Sequence, residues 1–102
     1  MVDYDKLVRD GIPGIIEASG KSCAVRVVEG EELFFYLDRK LDEEISEFRE
    51  SRDLAELADI LEVVVGLAES LGHSEKELFC LRLEKKDERG GFSQGIVLEK
   101  VS

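Results

Sequence analysis

Two pairs of acidic residues recur with the same spacing on either side of a short polar stretch. The chain reads Glu44-Ile-Ser-Glu47 and then Glu56-Leu-Ala-Asp59. Within a helix, side chains three residues apart are neighbours, so each pair can present its two carboxylates together. Carboxylate oxygens suit hard divalent cations, and Mg²⁺ in particular combines them with water and substrate phosphates. The spacing therefore indicates a metal site for phosphate chemistry, provided that the two pairs meet in space.

The first pair lies in a segment that predicts an amphipathic helix from about Glu31 to Glu50. At about 100° per residue, its apolar side chains share one face. They are Leu33, Phe34, Leu37, Leu41, Ile45 and Phe48. Glu44 falls inside this apolar arc and Glu47 falls at its edge. The polar neighbours are expected to point to solvent: Asp42, Glu43, Ser46, Arg49 and Glu50. An acid on the core-facing stripe is informative, because burying an unpaired carboxylate is costly.

The second pair lies in a helix that is predicted to begin after an N-cap at Asp53 and to run to Leu71. Apolar residues cover more than half of this helix. Glu56 falls within the apolar sector, and Asp59 falls at its edge. A helix that is apolar on nearly all sides must be covered on several of them. We therefore expect a second subunit to cover what the first helix leaves exposed.

A tight turn over Ser51–Asp53 is expected to fold the two helices into an antiparallel hairpin. With a rise of about 1.5 Å per residue, Glu47 and Glu56 both lie roughly 5 Å from the turn, and Glu44 and Asp59 lie roughly 10 Å from it. Four carboxylates gathered in this way repel one another unless a cation lies among them. The hairpin therefore predicts a site for Mg²⁺, with Mn²⁺ as an alternative ion.

A second interpretation leaves these acids on solvated faces. In it, Glu56 completes a capping box with Asp53 at the start of the second helix. The acids of the first helix then pair with Lys40 or Arg49. The two interpretations differ in whether the four carboxylates converge.

The rest of the chain supplies shorter elements and one further helix. An extended arm, Tyr4 to Pro13, leads into a short helix that stops near Gly20. Cys23 to Glu29 is predicted to form a short strand, and Ile96 to Val101 a second strand that pairs with it. A third long helix is predicted from a capping box at Ser74 to about residue 89.

These elements predict a mainly α protein with one domain over residues 1–102. Its centre is the antiparallel helical hairpin with the third helix beside it, and a two-stranded ribbon is an optional addition. A homodimer or homotetramer is expected to complete a helical bundle.

The composition excludes several classes of partner. The 102 residues include 24 acidic and 14 basic side chains, which gives a formal net charge of -10. Such a surface repels nucleic acid and acidic membranes. Because there is no transmembrane run and no secretory signal, we expect a cytoplasmic protein. Cys23 and Cys80 lack the spacing of a zinc or disulfide motif, and both are expected to be buried free thiols.

The acidic pattern E-I-S-E followed by E-L-A-D resembles the ExxE…ExxD signature of the MazG-like nucleoside triphosphate pyrophosphohydrolases. These all-α proteins are related to phosphoribosyl-ATP pyrophosphohydrolase. The arm from Lys6 to Pro13 and the tail from Glu88 to Phe92 resemble a small prokaryotic subgroup of that superfamily. The sequence departs from this pattern in a shorter gap between the acidic pairs, and in Gly11 and Gly14, where the subgroup often has charged residues.

The resemblance implies hydrolysis between the α and β phosphates of a nucleoside triphosphate, which yields a nucleoside monophosphate and pyrophosphate. The acids Glu44, Glu47, Glu56 and Asp59 would hold the metal. Glu47 and Glu56 are the predicted catalytic residues, and Glu47 is expected to orient the attacking water as well.

Cations are also needed, because acids cannot bind the phosphates themselves. Lys85 and Arg89 share one face of the third helix and are the first candidates, followed by Lys6 and Arg9 on the arm. Each has a structural alternative. Basic residues near a helix C-terminus complement its dipole, and Arg9 is equally suited to a salt bridge with Asp10.

Two other functions remain open from the sequence. One is hydrolysis of phosphoribosyl-ATP, and the other is a catalytically silent dimeric helical module that binds a nucleotide or a protein. Aromatic residues either stack a base or pack in the core and the dimer contact. They are Tyr4, Phe34, Phe35 and Tyr36. His73, the one histidine, is expected to be solvated.

Overall fold

Four helices make up the regular structure of residues 4–102, which are the residues that the computed structural model describes. They are α1 (Ile12–Ala18), α2 (Gly30–Ser51), α3 (Leu54–Ser70) and α4 (Glu75–Arg89). The mainly α prediction is confirmed, and each predicted helix is present with bounds shifted by only a few residues. Within this part of the chain, no helix is both long enough and apolar enough to cross a bilayer.

The turn between α2 and α3 is tight because Arg52 adopts the left-handed conformation, with φ 56°. Its backbone N–H donates to the carbonyl of Phe48 at 2.7 Å, which closes the end of α2. Asp53 occupies the N-cap position of α3, as predicted, but its side chain makes no capping hydrogen bond. The turn nevertheless lays α3 back along α2, as the hairpin prediction requires.

The buried apolar side chains of residues 4–102 are Leu37 from α2 and Val63 and Val65 from α3. Gly66 lets the helices approach closely, since a Cβ atom there would lie 3.0 Å from a methyl carbon of Leu37. Helix α4 contacts α3 alone, and α1 packs on none of the other helices.

Both strand predictions are wrong, because no strand is found within residues 4–102. Val27 is 95% exposed in the first segment, and Val101 is 84% exposed in the second. An alternating apolar pattern favours extended backbone, but a strand also requires a neighbour with which to share hydrogen bonds. Neither segment has such a neighbour.

The thiol prediction is half wrong: Cys23 and Cys80 are free, but both are exposed. Among residues 4–102, the buried residues are Leu37, Glu44, Val63 and Val65 alone, so the fold offers few buried positions for a thiol. The accessible surface is 9049 Å², whereas a compact monomer of this mass exposes about 5,800 Å². The radius of gyration is 17.7 Å, against about 13 Å for a compact domain of this length.

Candidate metal centre

Glu44 is a buried acidic residue on the side of α2 that faces α3. Only 6% of this residue is exposed, and it is the one buried charged residue among residues 4–102. Its place on the apolar stripe of α2 explains the burial, as the helical periodicity predicted. One carboxylate oxygen, Oε1, lies 3.3 Å from Nζ of Lys40, one helical turn earlier.

Glu44 joins two groups of carboxylates. Oxygen atoms of Glu44, Glu56 and Asp59 lie within 4.8 Å of one another, and so do oxygen atoms of Glu43, Glu44 and Glu47. The hairpin therefore brings the predicted metal ligands together, with Glu44 shared between the groups. Glu56 and Asp59 are half-buried, whereas Glu47 is exposed at the rim.

Glu43 was expected to point to solvent, and that expectation is wrong. The residue is half-buried and contributes to the second group of carboxylates. The helical spacing contains the reason, because Glu43 and Glu47 are four residues apart and share a face of α2. Lys40 Nζ also lies 3.5 Å from Glu43, which holds this carboxylate near the cluster.

Burial determines the protonation behaviour of the cluster. Removal from water raises the pKa of Glu44 above its ordinary value, and the neighbouring carboxylates of Glu47 and Asp59 raise it further. The hydrogen bond and the charge of Lys40 act in the opposite direction. The cluster therefore gains from any additional positive charge.

Two carboxylate oxygens of the cluster are buried without a hydrogen-bond partner. They are Oε2 of Glu44 and Oε2 of Glu56, and both residues belong to the carboxylate group that includes Asp59. A buried acceptor without a partner costs about 1–3 kcal/mol, and more when it is charged. A hard cation would satisfy both oxygens at once, and an all-carboxylate donor set suits Mg²⁺ or Mn²⁺. The residues therefore fit a divalent cation.

The chain's own cations already neutralise part of the cluster. Arg9 Nη2 donates to Oδ1 of Asp59 at 2.7 Å, and Arg9 Nη1 lies 4.0 Å from Glu62. Lys6 Nζ lies 3.5 Å from Glu43. Two of the predicted phosphate-binding residues are thus beside the acids, and Arg9 pairs with Asp59 rather than with Asp10.

The other two predicted phosphate-binding residues lie elsewhere. Lys85 and Arg89 are exposed on α4 and do not line the groove above the acids. This groove has a volume of about 640 Å³ and lies between the arm, α2 and α3. Within one chain, the structure therefore brings the cations of the arm to the site and leaves those of α4 away from it.

The interpretation that leaves the acids on solvated faces is correct in one respect only, the pairing of Glu44 with Lys40. Lys40 does pair with Glu44, but Glu44 is buried and Lys40 is half-buried, so the pair does not lie on a solvated face. Glu56 does not complete a capping box, because Asp53 accepts no side-chain capping hydrogen bond. Sequence reasoning missed Glu43, Lys40 as a bridge between two carboxylates, and the contact of the arm with α3.

No protein family matches the sequence of this chain, and no solved structure matches it. An uncharacterized protein of Mycolicibacterium smegmatis is similar to it, with 46% identity over 52 residues. The match covers 49% of this chain and 53% of the relative. The chain thus spans about half the length of the relative that it matches.

Proposed function

We propose that this chain belongs with the MazG-like enzymes and is a Mg²⁺-dependent nucleotide pyrophosphohydrolase. It would cleave a nucleoside triphosphate to a monophosphate and pyrophosphate. The observation that carries the proposal is the buried carboxylate of Glu44, which has an oxygen without a hydrogen-bond partner and groups with the carboxylates of Glu56 and Asp59. The resemblance of the two acidic pairs to the MazG-like signature supports the same function.

In this proposal, Glu44, Glu56 and Asp59 hold the metal, and Glu47 contributes from the rim. The bound ion would neutralise phosphate charge and favour ionisation of water. Glu56 or Glu47 would orient that water and accept its proton, since both carboxylates border the cluster. Arg9 and Lys6 would provide positive charge toward the phosphates, because both line the cavities next to the acids.

A catalytically silent binding module is the alternative, and the ion pairs support it. Arg9 and Lys40 already occupy two of the carboxylates, so part of the charge is balanced without a metal. Phosphoribosyl-ATP is the alternative substrate within the same chemistry, because it presents the same phosphoanhydride bond.

The test measures pyrophosphate release from a panel of nucleoside triphosphates and from phosphoribosyl-ATP, with Mg²⁺ or Mn²⁺. We expect turnover of at least one substrate, and its loss in Glu56→Gln, which keeps the size of the side chain but removes its charge. Glu50→Gln is the matched control, because Glu50 is exposed on α2 and belongs to neither carboxylate group. No turnover across the panel would favour the silent module, and full activity of Glu56→Gln would refute the site assignment.

We further propose that the chain self-associates through the open face of α3. Leu54, Leu57 and Leu61 lie on one face and are 82%, 43% and 44% exposed. The accessible surface of the chain is larger than that of a compact monomer of the same mass. The difference is of the size that obligate homodimers bury. Leu61→Lys should lower the mass measured by light scattering, whereas Val27→Lys should not. An unchanged mass in Leu61→Lys would exclude this face.

A further inference from the structure

A second cavity lies under the N-terminal arm, between α1, the segment of residues 23–28 and α2. Its volume is about 760 Å³, within the range typical of small-molecule sites. Every half-buried residue of the segment 4–30 lines it. These residues are Leu7, Ile12, Pro13, Ile16 and Val28. The partial burial of apolar side chains within residues 4–30 is therefore concentrated around this cavity.

A hydrogen-bonded chain of polar groups holds one edge of the cavity. Arg26 donates to the hydroxyl of Tyr36 at 2.9 Å, and Tyr36 donates to Asp5 at 2.6 Å. The hydrogen bond to Asp5 raises the pKa of Tyr36, so the phenol keeps its proton. Arg26 also pairs with Glu32 at 3.0 Å. The arm, the segment 23–28 and α2 are thereby fixed relative to one another.

The charged residues that line the cavity are mostly cations, in contrast to the composition of the whole protein. Four cations line it: Lys6, Arg9, Arg26 and Lys40. Among the described residues, Asp5 is the one acid in the lining, in a chain whose formal net charge is -10. The lining therefore suits an anionic ligand with an apolar body.

The cavity also continues into the groove above the carboxylates. Leu7, Val8, Arg9 and Lys40 line both spaces. Arg9 and Lys40 are the residues that pair with Asp59 and Glu44. A ligand in the cavity that extends past these two cations would place its anionic end beside the acids.

We propose that this cavity binds the base and sugar of a nucleotide, while its phosphates pass Arg9 and Lys40 toward the carboxylates. Naming the ligand as a nucleotide rests on the proposed function, whereas the position of the ligand rests on the cavity. Of the candidate stacking residues, Tyr4 and Tyr36 line the cavity, and Phe34 and Phe35 do not. Tyr4 is 73% exposed, so its ring is free to cover a base.

Cys23 provides a direct reporter, because it lines the cavity and is exposed. The variant Cys80→Ser leaves it as the single thiol of the chain. We would measure the rate at which a maleimide labels Cys23, with Mg²⁺ and each nucleoside triphosphate of the panel. At ten times the dissociation constant, the rate should fall about tenfold by mass action. Inorganic triphosphate, which lacks base and sugar, should leave the rate unchanged.

The reciprocal variant Cys23→Ser is the control, since labelling of Cys80 on α4 should not respond to nucleotide. Pyrophosphate release measured on the same samples separates this proposal from the proposed function. Turnover with undiminished labelling of Cys23 overturns the cavity and leaves the enzyme. Protection without turnover supports the cavity and overturns the enzyme. Equal protection by inorganic triphosphate overturns the assignment to base and sugar.

Discussion

Two regions of this molecule are rich in the same charged residue types but place them in different surroundings. Between α2 and α3, acids converge around a buried glutamate, and a lysine and an arginine join them. On α4, acids and bases alternate along a helix whose charged side chains are all exposed. Helix α4 is covered on little of its surface, because it contacts α3 alone.

The two regions differ in how much of their charge is buried, not in their residue types. A charge in solvent is stabilised by water whatever its neighbours are, and an exposed ion pair adds about 0–1 kcal/mol. A carboxylate under a second helix has lost its water, so its energy depends on which cation replaces that water. Of these two regions, the cluster around Glu44 therefore gains far more from a bound cation, and substitutions in the two regions should have very different effects.

The largest effect is expected from Glu44→Gln. Without the shared carboxylate, the increase in melting temperature caused by Mg²⁺ or Mn²⁺ should disappear, because ligand binding stabilises the folded state by mass action. Metal affinity should fall by more than the roughly 10–100-fold that changes in supporting residues cost. Isothermal titration calorimetry and thermal melts measure these two quantities.

The same variant should be more stable than the parent chain when no metal is present. Burial raises the pKa of Glu44, so its ionised form destabilises the fold at neutral pH, and glutamine removes that cost. Glu88→Gln on α4 is the matched control and should change neither property. Equal effects of the two substitutions would abolish the contrast between the regions.

Arg9→Gln should have an intermediate effect, and it should change metal binding and substrate binding in opposite directions. Arg9 competes with a metal ion for Asp59, so its removal should tighten metal binding. The gain should be no more than about fivefold, since an exposed ion pair is worth about 0–1 kcal/mol. If Arg9 also faces the phosphates, the KM for nucleotide should rise at the same time.

Arg49→Gln serves as the control for this variant, because Arg49 is exposed on α2 and forms no ion pair within residues 4–102. Calorimetry with Mn²⁺ and initial rates over a range of nucleotide concentrations provide the two measurements. Weaker metal binding in Arg9→Gln would mean that the arm supports the cluster instead of competing for it.

What the sequence predicted well depended on local spacing. The period of 3.6 residues placed Glu44 on the stripe that faces α3, and the turn chemistry around residues 51–53 predicted the hairpin. Glu43 was accessible to the same reasoning, through its four-residue spacing from Glu47. The position of the arm was not, because the contact between Arg9 and Asp59 joins residues fifty positions apart.

The strand predictions failed for a related reason. An alternating apolar segment indicates extended backbone, but its partner is a property of the whole fold. The exposure of both cysteines follows from how few of residues 4–102 the fold buries. Local periodicity therefore predicted the elements and the acids, while tertiary contacts determined which cations reach them.

A smaller effect is expected at the start of α4. Ser74 and Glu77 form a capping box, in which each side chain accepts from the backbone N–H of the other residue. Ser74→Ala should destabilise the fold by about 1 kcal/mol and leave the metal response unchanged. Denaturant titration with and without Mn²⁺ checks both statements, and a lost metal response would link α4 to the site.

The pH dependence at this position has a defined sign. The hydrogen bond with His73, at 3.1 Å, and those of the capping box lower the pKa of Glu77 below its ordinary 4.5. A lowered pKa contributes stability above the ordinary value, and that contribution is lost as the pH falls through the folded-state pKa. The stability difference between the parent chain and Glu77→Gln should therefore shrink below about pH 4.5. A difference that stays constant across that window would exclude the ionised Glu77 as its source.

The smallest effect within a single chain is expected from the double variant Lys85→Ala and Arg89→Ala. Both residues are exposed, and neither lines the groove or the cavity. Surface substitutions of this kind usually change stability by no more than about 0.5 kcal/mol. Metal affinity, measured by calorimetry, should be unchanged.

The nucleotide KM of this double variant distinguishes two arrangements of the site. If one chain forms the whole site, the KM should be unaltered, because the arm supplies the phosphate-binding cations. If instead α4 of a second chain reaches the acids, the KM should rise while metal affinity stays the same. In that case the two charged regions would differ within one chain but not in the assembled protein. At the interface between chains, the cations of α4 would lose their water, as Glu44 does within one chain.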